Sequence, residues 1–298
     1  MTTQAFSDRK IYLLKESNFA LDGGAMFGII PQPLWAKTNP PDPSNRIDMA
    51  ARAVLIVDDA HKILIDVGIG TDWSPRDEKI YKINASDPCL VNALGSLSIT
   101  AEEITDVILT HLHFDHAGGL RRQSDSGESS PAFPNARHWV QRRNWSWAHR
   151  PSDRDGGSYR LDDFAFLGAS TDAPPLHLIN GIAEILPGIE VLPVHGHTFG
   201  MQLVKISAPD HTYLFLADLV PTTSHLRAPY VMGYDLQPLK TVEEKKEMLY
   251  HASRQDWILL FSHDPHQAAG RVEMDSRGRP TFVPLDRLPS SLGGPLPA

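Results

Sequence analysis

The stretch His111-Leu112-His113-Phe114-Asp115-His116-Ala117-Gly118-Gly119 constrains this chain more than any other part of it. Three imidazoles and one carboxylate fall within six residues, a density that few structural needs explain. Histidines two apart in extended chain project to the same side, so His111 and His113 are placed to share one cation. Asp115 and His116 lie past a bend, where they reach another. Gly118 and Gly119 let the backbone turn away closely. Just before the cluster stands the apolar run Val107-Ile108-Leu109, which reads as a buried strand ending at Thr110.

Three more apolar runs end in the same manner. Val191 to Val194 leads to His195 and His197, Tyr213 to Ala217 ends at Asp218, and Trp257 to Phe261 ends at Ser262 and His263. If these are buried strands, His197, Asp218 and His263 stand at strand ends, where open sheets gather ligands into one site. Imidazole and carboxylate without thiolate suit zinc, manganese or iron, with zinc the first choice, and a carboxylate such as Asp218 is a natural bridge between two cations. His61, His138, His149, His177, His211, His251 and His266 have no comparable setting and are expected to be ordinary surface or core residues.

The runs Ala51 to Val57 and Lys62 to Val67 read as a hairpin around Asp58 to His61. Thr241, with Glu244 three residues on, reads as a capping box opening a helix over about Val242 to Arg254. Pro31 to Asn45 and Arg121 to Asn135 read as surface or lid loops, and the tail from about Leu288 to Ala298 as a poorly packed terminus. The stretch His138 to Arg150 interleaves aromatics with arginines, and Trp145 and Trp147 are expected to pack a helix or lid beside a cleft. Strands mixed with helices over 298 residues, 41% of them hydrophobic, favour one layered α/β or α+β domain over 1–298.

A formal charge of −8 disfavours nucleic acid phosphates and anionic membrane surfaces, so a small-molecule partner is expected. No apolar stretch approaches the ~18 residues a membrane helix needs, and Met1 to Lys10 lacks an apolar signal core. The single cysteine, Cys89, has no disulfide companion, which suits a reducing cytoplasm. A homodimer agrees with the base rate for enzymes.

The run His111 to His116 resembles the H-x-H-x-D-H signature of the metallo-β-lactamase superfamily, whose fold is a four-layer αββα sandwich. The resemblance implies that His111, His113 and His197 hold a first metal, that Asp115, His116 and His263 hold a second, and that Asp218 bridges them. Upstream, Ile63-Leu64-Ile65-Asp66-Val67-Gly68 matches the family's strand ending in Asp-x-Gly, which implies that Asp66 supports a ligand imidazole from behind.

A closer likeness is to the YtnP-type quorum-quenching lactonase branch. It rests on Leu21 to Gly28 followed by Pro31 to Trp35, on Ala217 to Thr222 with His225, and on Val231-Met232-Gly233-Tyr234-Asp235. This implies a hydrolase with two divalent ions that opens an N-acyl homoserine lactone through attack of a metal-bound hydroxide. Asp115 would orient the attack and pass a proton to the leaving alkoxide. Well-studied lactonases of the superfamily carry a tyrosine three residues after the bridging aspartate, where this chain has Pro221. Tyr234 and His225 are the candidates to supply that donor. Met26, Phe27 and Phe114 are weighed between pocket lining and core packing, and His195 between a role supporting a ligand or contacting substrate and an ordinary structural role. The competing readings are an esterase or phosphotriesterase on the same centre, an iron redox centre, and a structural zinc protein, which the absence of thiolate ligands opposes.

Overall fold

The computed structural model describes residues 6–84, 90–123, 129–171 and 173–294. Cys89 lies outside them. The first sheet has the order β1 (Lys10–Asp22), β2 (Arg46–Val57), β3 (Lys62–Ile65), β4 (Asp106–Ile108), β7 (Arg137–Gln141) and β8 (Leu176–Ile179), with β5 (Arg121–Gln123) and β6 (Ser129–Pro131) forming a separate pair. β1 to β3 run antiparallel, and β3, β4, β7 and β8 run parallel. The second sheet has the order β15 (Pro280–Val283), β14 (Ala269–Met274), β13 (Ile258–Leu260), β12 (Thr212–Phe215), β11 (Met201–Ser207), β10 (Ile189–Val194) and β9 (Ala183–Leu186). Its one parallel pair is β12 with β13.

The continuous apolar runs of β2 and β3 follow from burial on both faces. Successive side chains point to opposite sides. Val54, Ile56, Ile63 and Ile65 join one core with Val191, Leu203, Phe215 and Leu259 of the second sheet. Ala53, Leu55 and Leu64 point the other way, into a core closed by Leu90, Leu94, Phe164 and Leu167 from outside the sheet. Leu249 and Ala252 of the helix Pro238–Arg254 pack against the second sheet. The result is the αββα layering expected. No helix among the described residues is long and apolar enough to cross a membrane.

Several local expectations change. The helix expected from Thr241 begins earlier, at Pro238, with Gln237 as N-cap, because proline at the first helical position is already preset for the helix. Thr241 is buried inside it, and the Glu244 carboxylate caps a loop instead, accepting from His195 N at 2.9 Å and Gly196 N at 3.0 Å. The tail expected to pack poorly is docked as far as it is described. Leu292 is buried and bridges Ile11, and the Ser291 hydroxyl meets Tyr213 and Asp210. Pro31 to Asn45 runs over the surface as expected, with most of its residues exposed, and is anchored by a short helix, Gln32–Trp35, whose Trp35 is buried.

Gly118 and Gly119 turn the ligand loop against the segment after β3, and Gly119 N donates to Gly68 O at 3.2 Å. A Cβ on Gly119 would collide with the Val67 carbonyl oxygen. Gly119→Ala is therefore expected to cost about 1–3 kcal/mol of stability, read as a lower urea midpoint at unchanged slope.

Candidate metal centre

All seven predicted ligands meet at one end of the sandwich. His111 to His116 follow β4, His197 follows β10, Asp218 follows β12 and His263 follows β13. They fall into two groups whose ligand atoms lie within 4.8 Å of one another, His111, His113 and His197 in one, and Asp115, His116, Asp218 and His263 in the other. Asp218 joins them. Its Oδ2 stands 3.3 Å from His197 Nε2 and 4.0 Å from His111 Nε2, and its Oδ1 stands 3.2 Å from His116 Nε2 and 3.0 Å from His263 Nε2. Despite those distances, Oδ1 has no properly angled hydrogen bond among the described residues. The residue before it, Ala217, is held at φ 44°, a left-handed conformation that costs a non-glycine residue about 1–3 kcal/mol.

The outer ring nitrogens are occupied by acceptors. His116 Nδ1 lies 2.7 Å from Asp66 Oδ2, His197 Nδ1 lies 2.9 Å from Asp235 Oδ1, and His263 Nδ1 lies 2.9 Å from Ala50 O. His111 Nδ1 meets Thr110 Oγ1 at 3.1 Å, and that hydroxyl donates to Asp66 at 2.8 Å. Each such contact keeps the proton on Nδ1 and turns the Nε2 lone pair inward. Asp66 thus steadies His116 directly and His111 through Thr110, while its own backbone sits at φ 55°.

Those inward lone pairs crowd each other. His116 Nε2 and His263 Nε2 are 3.0 Å apart, and His113 Nδ1 is 3.1 Å from both His111 Nε2 and His197 Nε2. A tetrahedral zinc with bonds of about 2.0–2.1 Å holds its nitrogens roughly 3.3 Å apart, so this spacing fits divalent cations between the rings. Burial pulls His111 and His113 well below the ordinary imidazole value, keeping them neutral. Burial opposes charge on His116 as well, but the carboxylates of Asp218, Asp115 and Asp66 outweigh it and raise His116 well above that value. The field that would protonate His116 is one that attracts a cation.

His113, Asp115, His197, Asp218 and His263 form the floor of a cavity of about 250 Å³ walled by Leu21, Met26, Met49, Phe114 and Met232, with Tyr81, Tyr234, Arg154 and Ser158 as its other polar side chains, while His111 and His116 lie buried beneath it. A larger cavity of about 520 Å³ beside Leu226, Lys245 and Met274 includes none of the ligands. Of the residues weighed as pocket lining, Met26 and Phe114 line the cavity, whereas Phe27 is stacked between Trp35 and His225.

The two candidate donors part company. Tyr234 borders the cavity, and burial, with Asp22, Tyr81 and Asp115 adding to it, raises its phenol so that it stays protonated. His225 does not reach it, because its Nδ1 meets Thr222 Oγ1 and its Nε2 meets Met26 O, each at 2.8 Å, so both nitrogens serve the fold. His195 Nδ1 accepts from Gly200 N at 3.1 Å and supports its own loop rather than a ligand. Tyr81, Arg154 and Asp235 were not singled out as site residues by the motif reading. Asp235 alone had a signal, lying within a segment the resemblance had marked.

A model of the metallo-beta-lactamase superfamily matches residues 47–263. An N-acyl homoserine lactonase, AttM, from Rhizobium radiobacter is 24% identical over 219 residues, which cover 70% of this chain and 77% of that protein. A probable metal-dependent hydrolase from Staphylococcus aureus superposes with a TM-score of 0.81 at 28% identity, over 96% of this chain and all of the other (100%). The dizinc quorum-quenching lactonase AidC, solved with a product N-hexanoyl-L-homoserine, superposes with a TM-score of 0.74 over 95% of this chain and 97% of that one, and at 18% identity the likeness is one of fold.

Asp235→Ala removes the support of His197 alone. It is expected to weaken one cation about 10–100-fold while the other is retained, measured by chelator competition on the cobalt-loaded protein.

Proposed function

This chain belongs to the metallo-β-lactamase superfamily, and from that premise we propose that it is a hydrolase holding two divalent ions, zinc first, and opening the ring of an N-acyl homoserine lactone. The observation that carries the proposal is the Asp218 carboxylate, one oxygen turned to each ligand group, at the floor of an apolar cavity. His111, His113 and His197 would hold one ion, Asp115, His116 and His263 the other, and Asp218 both. Divalent cations held there would lower the pKa of a bound water and polarise an ester carbonyl.

The remaining work falls to the chain's own side chains. The Asp115 carboxylate borders the cavity, with Oδ2 3.6 Å from His263 Nε2. It accepts the proton lost by the attacking water and returns it to the ring oxygen as the ester C–O bond breaks. The Tyr234 phenol, kept protonated, donates to the carbonyl oxygen as negative charge gathers there, the role for which Pro221 has no donor. Pro221 instead accepts from His263 N at 3.0 Å, fixing the ligand's backbone. Met26, Met49, Phe114 and Met232 offer an apolar tail a surface that excludes water. A cavity so walled suits a small-molecule ester.

Elemental analysis beside lactone, aryl-ester and phosphotriester hydrolysis tests the assignment. The wild type is expected to carry two metals and open lactones, and Asp218→Ala to lose both metal and turnover. Metal with turnover only of aryl or phosphate esters would move the activity to esterase or phosphotriesterase. Tyr234→Phe is expected to lower kcat/KM for a lactone about tenfold with metal content unchanged, the loss of roughly one hydrogen bond in the transition state. Asp115→Asn with full metal and full activity would remove Asp115 from the proton path.

A further inference from the structure

Among the described residues that line the cavity, Arg154 is the one arginine or lysine. Its backbone is well fixed. The buried Asp155 beside it accepts from Ser152 N at 2.9 Å and Ser152 Oγ at 2.7 Å with one oxygen, and from Trp147 Nε1 at 2.7 Å with the other. The guanidinium is aimed as well, since its Nη2 donates to Gly233 O, and Gly233 N in turn donates to Ala25 O at 2.7 Å. A guanidinium carries five N–H groups. The bond to Gly233 is the one side-chain hydrogen bond that Arg154 makes among the described residues, so donors remain for a molecule in the cavity.

An apolar wall of leucine, methionine and phenylalanine gives a polar substrate group nothing in exchange for its hydration, which costs affinity unless a donor stands nearby. Apart from the ligand cluster, the side-chain donors lining the cavity are two phenols, Ser158 and Arg154. A lactone whose ester lies on the ligand floor carries any substituent of its ring towards the walls. Resting on the lactonase reading above, we propose that Arg154 hydrogen-bonds the amide carbonyl of the N-acyl group, so that the enzyme selects lactones bearing an acylamino substituent over lactones of similar apolar length that lack one. The charged donor makes the contact strong, and its anchored loop limits the ordering cost of making it. Arg154 is a specificity-determining residue and takes no part in proton transfer.

The test compares kcat/KM for N-hexanoyl homoserine lactone with that for γ-decanolactone, which has a tail but no amide. In Arg154→Ala the ratio of the two is expected to fall about tenfold, chiefly through KM for the acylamino substrate, and Arg154→Lys is expected to recover part of it. A side chain that only braces the loop would weaken both substrates alike, and an unchanged ratio in both variants overturns the proposal. A wild type that opens γ-decanolactone but not the acylamino lactone overturns it too, while leaving a lactone hydrolase in place. A wild type that opens neither overturns this inference together with the reading beneath it.

Discussion

The Asp218 carboxylate, set between two groups of buried imidazoles, is the constraint that the rest of the molecule is arranged to satisfy. It is 5% exposed, and burial alone would drive its proton affinity up, yet the surrounding histidines, His116 and His263 foremost, hold it well below the usual carboxylate range. A carboxylate and several inward lone pairs cannot share so small a volume without positive charge among them. The fold therefore has to hold the groups in place against their own repulsion. Strand ends of two packed sheets supply that rigidity, and the strained backbone at Asp66 and Ala217 shows local conformation yielding to the demands of the site.

Much of this arrangement was legible in the sequence because it is local or periodic. His111 to His116 announce themselves by density, and the runs ending at His197, Asp218 and His263 by apolar continuity. The capping-box reading at Thr241 failed for a physical reason. Thr241 and Glu244 have the right spacing, but Glu244 is spent on the amides of His195 and Gly196, and a Cβ on Gly196 would collide with Thr241. The pair supports the loop before His197 instead of the helix start. His225 misled in a similar way, since a histidine soon after Asp218 in sequence turned out to be saturated by Thr222 and Met26.

The walls of the cavity were much less legible. Tyr81 ends the short helix Pro75–Tyr81 and packs with Trp73 on Phe114, and the Arg160 guanidinium stacks 4.5 Å from the Trp73 ring. Arg121 of β5 and Arg160 both approach Asp72, tying the segment before that helix to the strand after the ligand loop and to the loop that carries Arg154 and Tyr159. These contacts join segments far apart in the chain, and none has a motif or a period. Floor and walls thus rest on different physics: the floor is fixed by a few chemically demanding residues, whereas the walls are assembled by packing between segments distant in the chain.

β2 gives the centre a further property. Along much of its length it pairs with β1 and β3 of the first sheet, yet at Ala50 and Arg52 its amides donate to His263 and Ser262 beyond the second sheet's β13, and the Ala50 carbonyl orients the His263 ring. One strand therefore stitches the two halves together beside the ligands, and the ligands themselves come from both halves. Ions held there act as a rivet across the seam. By linkage, metal bound there would favour the docked sandwich, so its removal would be expected to weaken the packing of one sheet on the other.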